Sequence, residues 1–281
     1  MSHAESMAVL RDVYLIGLGS AAVAVFIYAQ IRNRAHVAWN YQGNVMARPY
    51  NALDAIAVLM LLGLFGLNFF VTAPETGGVT GTSEEPERLG SAAILVGMLF
   101  NLVICAFIII YLRLFRDLHP PELFGLRHMP VHHALLWAVL GVVATYGVVI
   151  LVSQLKGSAV QEENPQETVE AFRKNADWGF RILMGFMAIV IAPVTEELMF
   201  RGLVYGVTKR FTDRWFATIF SALMFSIIHF HVGSAPELFV LGVGFALAYE
   251  QTGSLLVPVF MHMFFNAWNI FWMAVATFVS P

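Results

Sequence analysis

Three short stretches in the last third of the chain bring together residue types that form a parts list for hydrolysis. The first is Glu196-Glu197 with Arg201, the second is Phe225 with His229, and the third is His262 with Asn266. Glutamate or histidine can act as general base on water. Histidine and asparagine can donate to a developing oxyanion. A glutamate with two histidines is equally a donor set for a divalent metal such as zinc, with Glu196, His229 and His262 as its ligands. Residue types alone leave both chemistries open.

Spacing separates the two carboxylates. On a helix Glu197 and Arg201 lie one turn apart, in the favoured acid-before-base order, which reads as a structural ion pair. Glu196 points about 100° away, so it stays free while its neighbour is paired. His262 and Asn266 are also one turn apart and aim two hydrogen-bonding groups at one point. Pro193 and Pro258 each remove a helix N–H close to these clusters. Within a membrane such a loss is tolerated beside a wet cavity or a compensating neighbour. The remaining polar residues read more plainly. His231 is a loop histidine and a minor ligand candidate, His132 and His133 are interfacial, and Asn68 and Asn101 serve packing or interhelical bonds. Asn269 extends the polar face of Asn266 and receives no role.

The elements that position these groups are spans of a membrane. Of 281 residues 58% are hydrophobic and 12% charged, about half the charge of a soluble domain. Runs near the required length of about 20 residues fall at about 13–31, 52–71, 92–112, 131–153, 179–205, 215–230, 236–250 and 255–278. The expected fold is therefore all-α, a polytopic transmembrane bundle of about eight spans with the catalytic cavity among the C-terminal ones. The first run, Val13 to Ala29, ends in Gln30-Ile31-Arg32-Asn33-Arg34, a stop-transfer flank that reads as a retained helix rather than a cleaved leader. Thr72 to Leu89 reads as an extramembrane loop, and Gln161 to Trp178 as a loop or an interfacial amphipathic helix.

Lysine and arginine counts favour loops one, three and five in the cytoplasm. Arg32, Arg34, Arg48, Arg113, Arg116, Arg127, Lys209, Arg210 and Arg214 fall on that side, against Arg11, Arg88, Lys156, Arg173 and Lys174. A net charge of −3 gives no reason to expect nucleic acid as a partner. The single cysteine, Cys105, excludes intrachain disulfides and cysteine-ligated zinc, and reads as lipid-facing or packing filler. Ionisable groups at membrane depth mark functional sites, and they concentrate after residue 178. The chain therefore divides into N-terminal helices and loops, 1–178, and chemistry-bearing helices, 179–281.

Glu196-Glu197-x-x-x-Arg201, Phe225-x-x-x-His229 and His262-x-x-x-Asn266, in this order, resemble the three motifs of the CPBP (CAAX protease, bacteriocin-processing, Abi) intramembrane proteases. The linking stretch fits the same pattern through Gly242, Gly244, Tyr249 and Thr252-Gly253-Ser254-Leu255. The resemblance covers about 180–270 and implies an eight-helix membrane protease related to the type II CAAX prenyl endopeptidase. It further implies that Glu196 and His229 activate water, that His262 and Asn266 stabilise the oxyanion, and that Arg201 holds Glu197. The family is often labelled metalloprotease, and a metal-free glutamate mechanism has also been proposed for it. With no His-Glu-x-x-His in the chain, the favoured reading requires no cofactor.

The expected activity is thus cleavage of a membrane-associated protein or peptide by an integral membrane endopeptidase, in the cell membrane if the source is prokaryotic. The alternative is a non-proteolytic immunity or scaffold protein on the same fold. A transporter using these groups as a proton relay would need inverted repeats or paired broken helices, and the sequence shows neither. The motifs of rhomboids, presenilin-like enzymes and site-2 proteases are absent.

Overall fold

Apolar chain in lipid has to satisfy its own backbone, which leaves the helix as the natural element for these runs. The computed structural model describes residues 3–34, 43–72, 91–156, 177–229 and 231–279, and every regular element among them is helical. The helices are α1 (His3–Arg34), α2 (Ala52–Thr72), α3 (Ser91–Phe115, ending in a π-turn), α4 (Pro120–Leu123), α5 (Val131–Lys156), α6 (Trp178–Phe211), α7 (Arg214–Ile227), α8 (Ala235–Thr252) and α9 (Leu256–Val279). A helix occupies each expected span. By length and composition four of them, within α3, α5, α6 and α9, can cross a membrane, and α1, α2 and α7 carry shorter apolar stretches. The protein is a multi-pass membrane protein. Exposed Leu95, Leu99 and Val103 on α3 and Leu136, Leu140 and Val143 on α5 are what a lipid-facing surface requires. The loop expected after Thr72, the stretch expected at 161–176 and the side chain of Asn68 lie outside the described residues.

α6 is the axis. It runs to Phe211, beyond the expected end at residue 205, and every residue from Glu197 to Lys209 is buried. Two segments, Met187–Ile191 and Leu198–Tyr205, are wound as π-helix. Such widened turns shift carbonyls off their usual partners and recur at functional sites. Other elements supply donors: Ser221 Oγ donates to Phe200 O at 3.0 Å, and Tyr50 OH donates to Gly202 O at 2.8 Å.

The extra length of α6 corrects the reading of Lys209 as a loop cation. Its side chain is buried, with Nζ donating to Glu250 Oε1 at 2.8 Å, to Oε2 at 2.9 Å and to Val45 O at 3.0 Å. Tyr205 OH donates to the same carboxylate. The helix can continue past the apolar run because α8 brings a counter-charge to meet the ammonium. Arg116 is likewise engaged, with Nε 2.8 Å from Asp54 Oδ1 and Nη2 3.0 Å from Pro49 O. Together with the bond from Asn44 N–H to Glu250 O, at 3.3 Å, these contacts fasten the segment before α2 to α6, to α8 and to the end of α3. Hydrogen bonds thus cross between the 1–178 and 179–281 divisions.

α7 and α8 form a hairpin with tight contact between backbones. Asp213 caps α7, accepting from the N–H groups of Trp215 at 2.8 Å and Phe216 at 3.0 Å. A Cβ on Gly242 would lie 2.8 Å from Ala222 Cα, so only glycine lets α8 approach α7 this closely. Gly253, at φ 64, closes α8 in the left-handed region, with its N–H on Tyr249 O at 2.7 Å.

Lys209→Met strands the Glu250 carboxylate away from water, a cost of roughly 3–5 kcal/mol for a buried pair broken on one side. The thermal midpoint of the detergent-extracted protein is expected to fall, and Lys209→Met with Glu250→Gln to recover part of it. A single variant as stable as the wild type would show that the pair contributes nothing.

Candidate active site

Pro193 lies one turn before the adjacent glutamates on α6, and the two carboxylates diverge as the helical period requires. Glu197 is fully buried, and its Oε1 accepts from Arg201 Nη1 at 2.8 Å, the one-turn pair expected from the spacing. The same oxygen lies 2.9 Å from His262 Nδ1 on α9. Arg201 is equally buried. Its Nη2 donates to Gly242 O at 3.1 Å, and its guanidinium carbon sits 4.6 Å from the ring centroid of Phe225 and 5.2 Å from that of Phe245. Two aromatic faces thus take part of the load of a cation removed from water.

Glu196 turns the other way. Its Oε2 is 3.9 Å from His229 Nε2 and 3.9 Å from His262 Nε2, and it has no hydrogen-bond partner among the described residues. Both imidazoles are oriented from behind. His229 Nδ1 is 2.7 Å from Phe225 O, and a carbonyl only accepts, so Nδ1 carries hydrogen and a neutral ring offers the lone pair of Nε2 to the pocket. His262 Nδ1 donates to Glu197, and its ring packs 5.1 Å from Phe245 and edge-on 5.7 Å from Phe225. Three expected residues from α6, the C-terminal end of α7 and α9 therefore converge.

The fourth does not join them directly. Asn266 Nδ2 donates to Ala188 O, at 2.8 Å, in the first π segment of α6. Of the residues given minor readings, His231 Nδ1 accepts from Ser234 N–H at 3.1 Å within its own loop. His132 and His133 are exposed and pack on each other at 4.4 Å. Asn101 donates to Gly97 O of its own helix at 2.9 Å rather than across helices. Asn269 donates to Phe265 O at 3.0 Å. Cys105 is half-buried and packs inward, 3.2 Å from Thr195 Oγ1 on α6. Phe245 escaped the sequence reading. Its signal was there, one turn after Gly242 on the face of α8 that meets Arg201.

One carboxylate and two imidazoles suit zinc by type, but their spacing does not. Neighbouring ligands of a tetrahedral ion held at about 2.1 Å lie roughly 3.4 Å apart, short of both 3.9 Å gaps. No group of three His, Cys, Asp or Glu among the described residues is arranged to hold an ion. A water with hydrogen bonds of about 2.8 Å fits between the same atoms.

Comparison with known proteins falls on these helices. Residues 178–268 match the family described as Rce1-like type II CAAX prenyl endopeptidase. The chain is 30% identical over 151 residues to the membrane-embedded CAAX protease MroQ of Staphylococcus aureus, covering 50% of this chain and 59% of that protein. It is 28% identical over 88 residues to YdiL of Bacillus subtilis, covering 31% and 36%. With the UPF0177 protein YbdI of Lactococcus lactis it shares 37% over 91 residues, covering 32% and 45%. The chain thus spans from about a third to three fifths of the length of these relatives. No solved structure matches at a comparable level.

Arg201→Met leaves Glu197 buried against His262 without its strongest partner, a loss of roughly 3–5 kcal/mol in comparable pairs. Folded yield is expected to drop, and Arg201→Met with Glu197→Gln to regain part of it, read as monodisperse protein after detergent extraction. Equal yields for single and double variants would refute the pairing.

Proposed function

We propose, for a chain whose residues 178–268 match the family described as Rce1-like type II CAAX prenyl endopeptidase, that it cleaves a peptide bond in a membrane-associated protein or peptide. The observation that carries this reading is Glu196 Oε2, a buried carboxylate oxygen without a hydrogen-bond partner among the described residues and equidistant from two imidazole nitrogens. Water held among these three groups loses a proton to Glu196, with His229 Nε2 accepting its second hydrogen as a hydrogen bond. The water oxygen bonds to the scissile carbonyl carbon, and the carbonyl electron pair moves onto its oxygen.

His262 faces the same pocket through Nε2. In its imidazolium form that nitrogen donates to the oxyanion, with Glu197 compensating the charge at Nδ1 as the aspartate does in a Ser-His-Asp triad. Asn266 retains one amide hydrogen for the same oxygen, the other being on Ala188 O. Collapse breaks the C–N bond as Glu196 returns its proton to the leaving amine, giving one carboxylate and one amine. No step requires a metal. In this reading the eight helices that follow the expected spans all cross the membrane.

The test uses protein reconstituted in liposomes with reporter peptides drawn from those released in cells by the wild type. Glu196→Gln keeps size and most hydrogen bonding but cannot take the proton. It is expected to fold normally and lose about 10²–10⁴-fold in rate. Cleavage by the wild type is expected to survive dialysis against a strong chelator. An active Glu196→Gln would refute the base, and a chelator-induced loss restored by zinc would refute the metal-free step. No cleavage of any membrane peptide would leave the immunity or scaffold reading.

A further inference from the structure

The bond between Asn266 and Ala188 has a cause in the winding of α6. Met187 N–H still reaches Leu183 O four residues back, and the π segment Met187–Ile191 closes with a bond five residues long, from Ala192 N–H to Met187 O. The next in that register would run from residue 193 to Ala188 O. Residue 193 is proline and has no N–H. The Ala188 carbonyl is therefore left open by the sequence of α6 itself, and Asn266 Nδ2 on α9 meets it at 2.8 Å. A second, independent feature gives this repair a consequence. Glu196 follows Pro193 by three residues on α6, and His262 precedes Asn266 by one turn on α9. The bond thus ties together the two helices that carry the proposed base and one of its imidazoles, and their side chains face each other at 3.9 Å.

We infer that Asn266 acts mainly as a positioning residue: by supplying the hydrogen bond that Pro193 withholds from Ala188, it holds α9 against the widened turn of α6 and so sets the place of Glu196 relative to His262. This rests on the reading of Glu196 as base and assigns Asn266 a task besides contact with the oxyanion. Without the amide, the Ala188 carbonyl has no donor from residue 193 of its own helix. The turn relaxes towards α-helical winding, which rotates everything after it, Glu196 included.

The inference is tested by a cycle of Asn266→Ala and Pro193→Ala in the full-length protein, because alanine at 193 restores the missing N–H. Two quantities are read for each variant: the thermal midpoint in detergent, and kcat and KM in liposomes per monodisperse molecule. With Pro193 present, Asn266→Ala is expected to lower kcat on the order of a hundredfold with KM nearly unchanged, the scale of a misplacement of about 1 Å. In the Pro193→Ala background the same substitution is expected to cost less than about tenfold, and the thermal midpoint lost with Asn266 to be largely regained. Equal kcat losses in both backgrounds would overturn the inference and make Asn266 a direct oxyanion donor. Should Asn266→Ala not fold, recovery of monodisperse protein by Pro193→Ala supports the inference and failure to recover overturns it. The thermal cycle does not depend on cleavage, so a failure of the protease reading, seen as no cleavage of any membrane peptide, or of the base assignment, seen as an active Glu196→Gln, is distinguishable from a failure of this coupling.

Discussion

A guanidinium with no access to solvent at membrane depth constrains everything around it. Arg201 cannot shed its charge, so a carboxylate has to come within hydrogen-bonding distance. Glu197, one turn back on the same helix, is the side chain placed to do so. The second guanidinium arm needs an acceptor, and α8 delivers the Gly242 carbonyl because a glycine there lets its backbone come close. The planar faces need polarisable cover, which Phe225 and Phe245 provide. Once Glu197 is held in this way, its oxygen orients His262 through Nδ1, and the adjacent Glu196 is left to the pocket. The difference between two neighbouring glutamates follows from one buried cation.

The second constraint is that a backbone in lipid has no water to fall back on. α6 is wound twice as π-helix, and in both widened stretches side chains of other elements donate to its carbonyls. Ser221, Tyr50 and Asn266, from three different elements, donate to Phe200, Gly202 and Ala188 respectively. α6 is therefore stitched to its neighbours through its main chain as well as through its side chains. The bundle is organised around an irregular helix whose irregularities are where the other elements attach.

The sequence revealed the parts of this arrangement that depend on local spacing. The one-turn relation of Glu197 and Arg201, the free direction of Glu196, and the helices themselves all follow from a period of 3.6 residues read against an apolar background. The meeting of Glu196, His229 and His262 came instead from recognising a motif set, since no local rule brings α6, α7 and α9 together. What was not legible depends on partners distant in the chain. Lys209 looked like a loop cation because the counter-charge of Glu250 lies on another helix. The anchoring of the segment before α2 was not legible because its bonds go to residues 152 to 206 positions later. Pro193 announced a missing hydrogen bond, but π winding moved the open carbonyl to Ala188, and which side chain would fill it could not be read from α6 alone.

In the proposed mechanism the carboxylate left free by the Glu197–Arg201 pair deprotonates water and is not itself the nucleophile. Its most direct test is a single-turnover cleavage in ¹⁸O-enriched water, with isotope content measured by mass spectrometry in the new product carboxylate and in the Glu196 peptide of the enzyme. Direct attack by water predicts label in the product after one turnover and none in Glu196. Label in the Glu196 carboxylate, with an unlabelled product from the first turnover, would reveal a covalent acyl intermediate and contradict it.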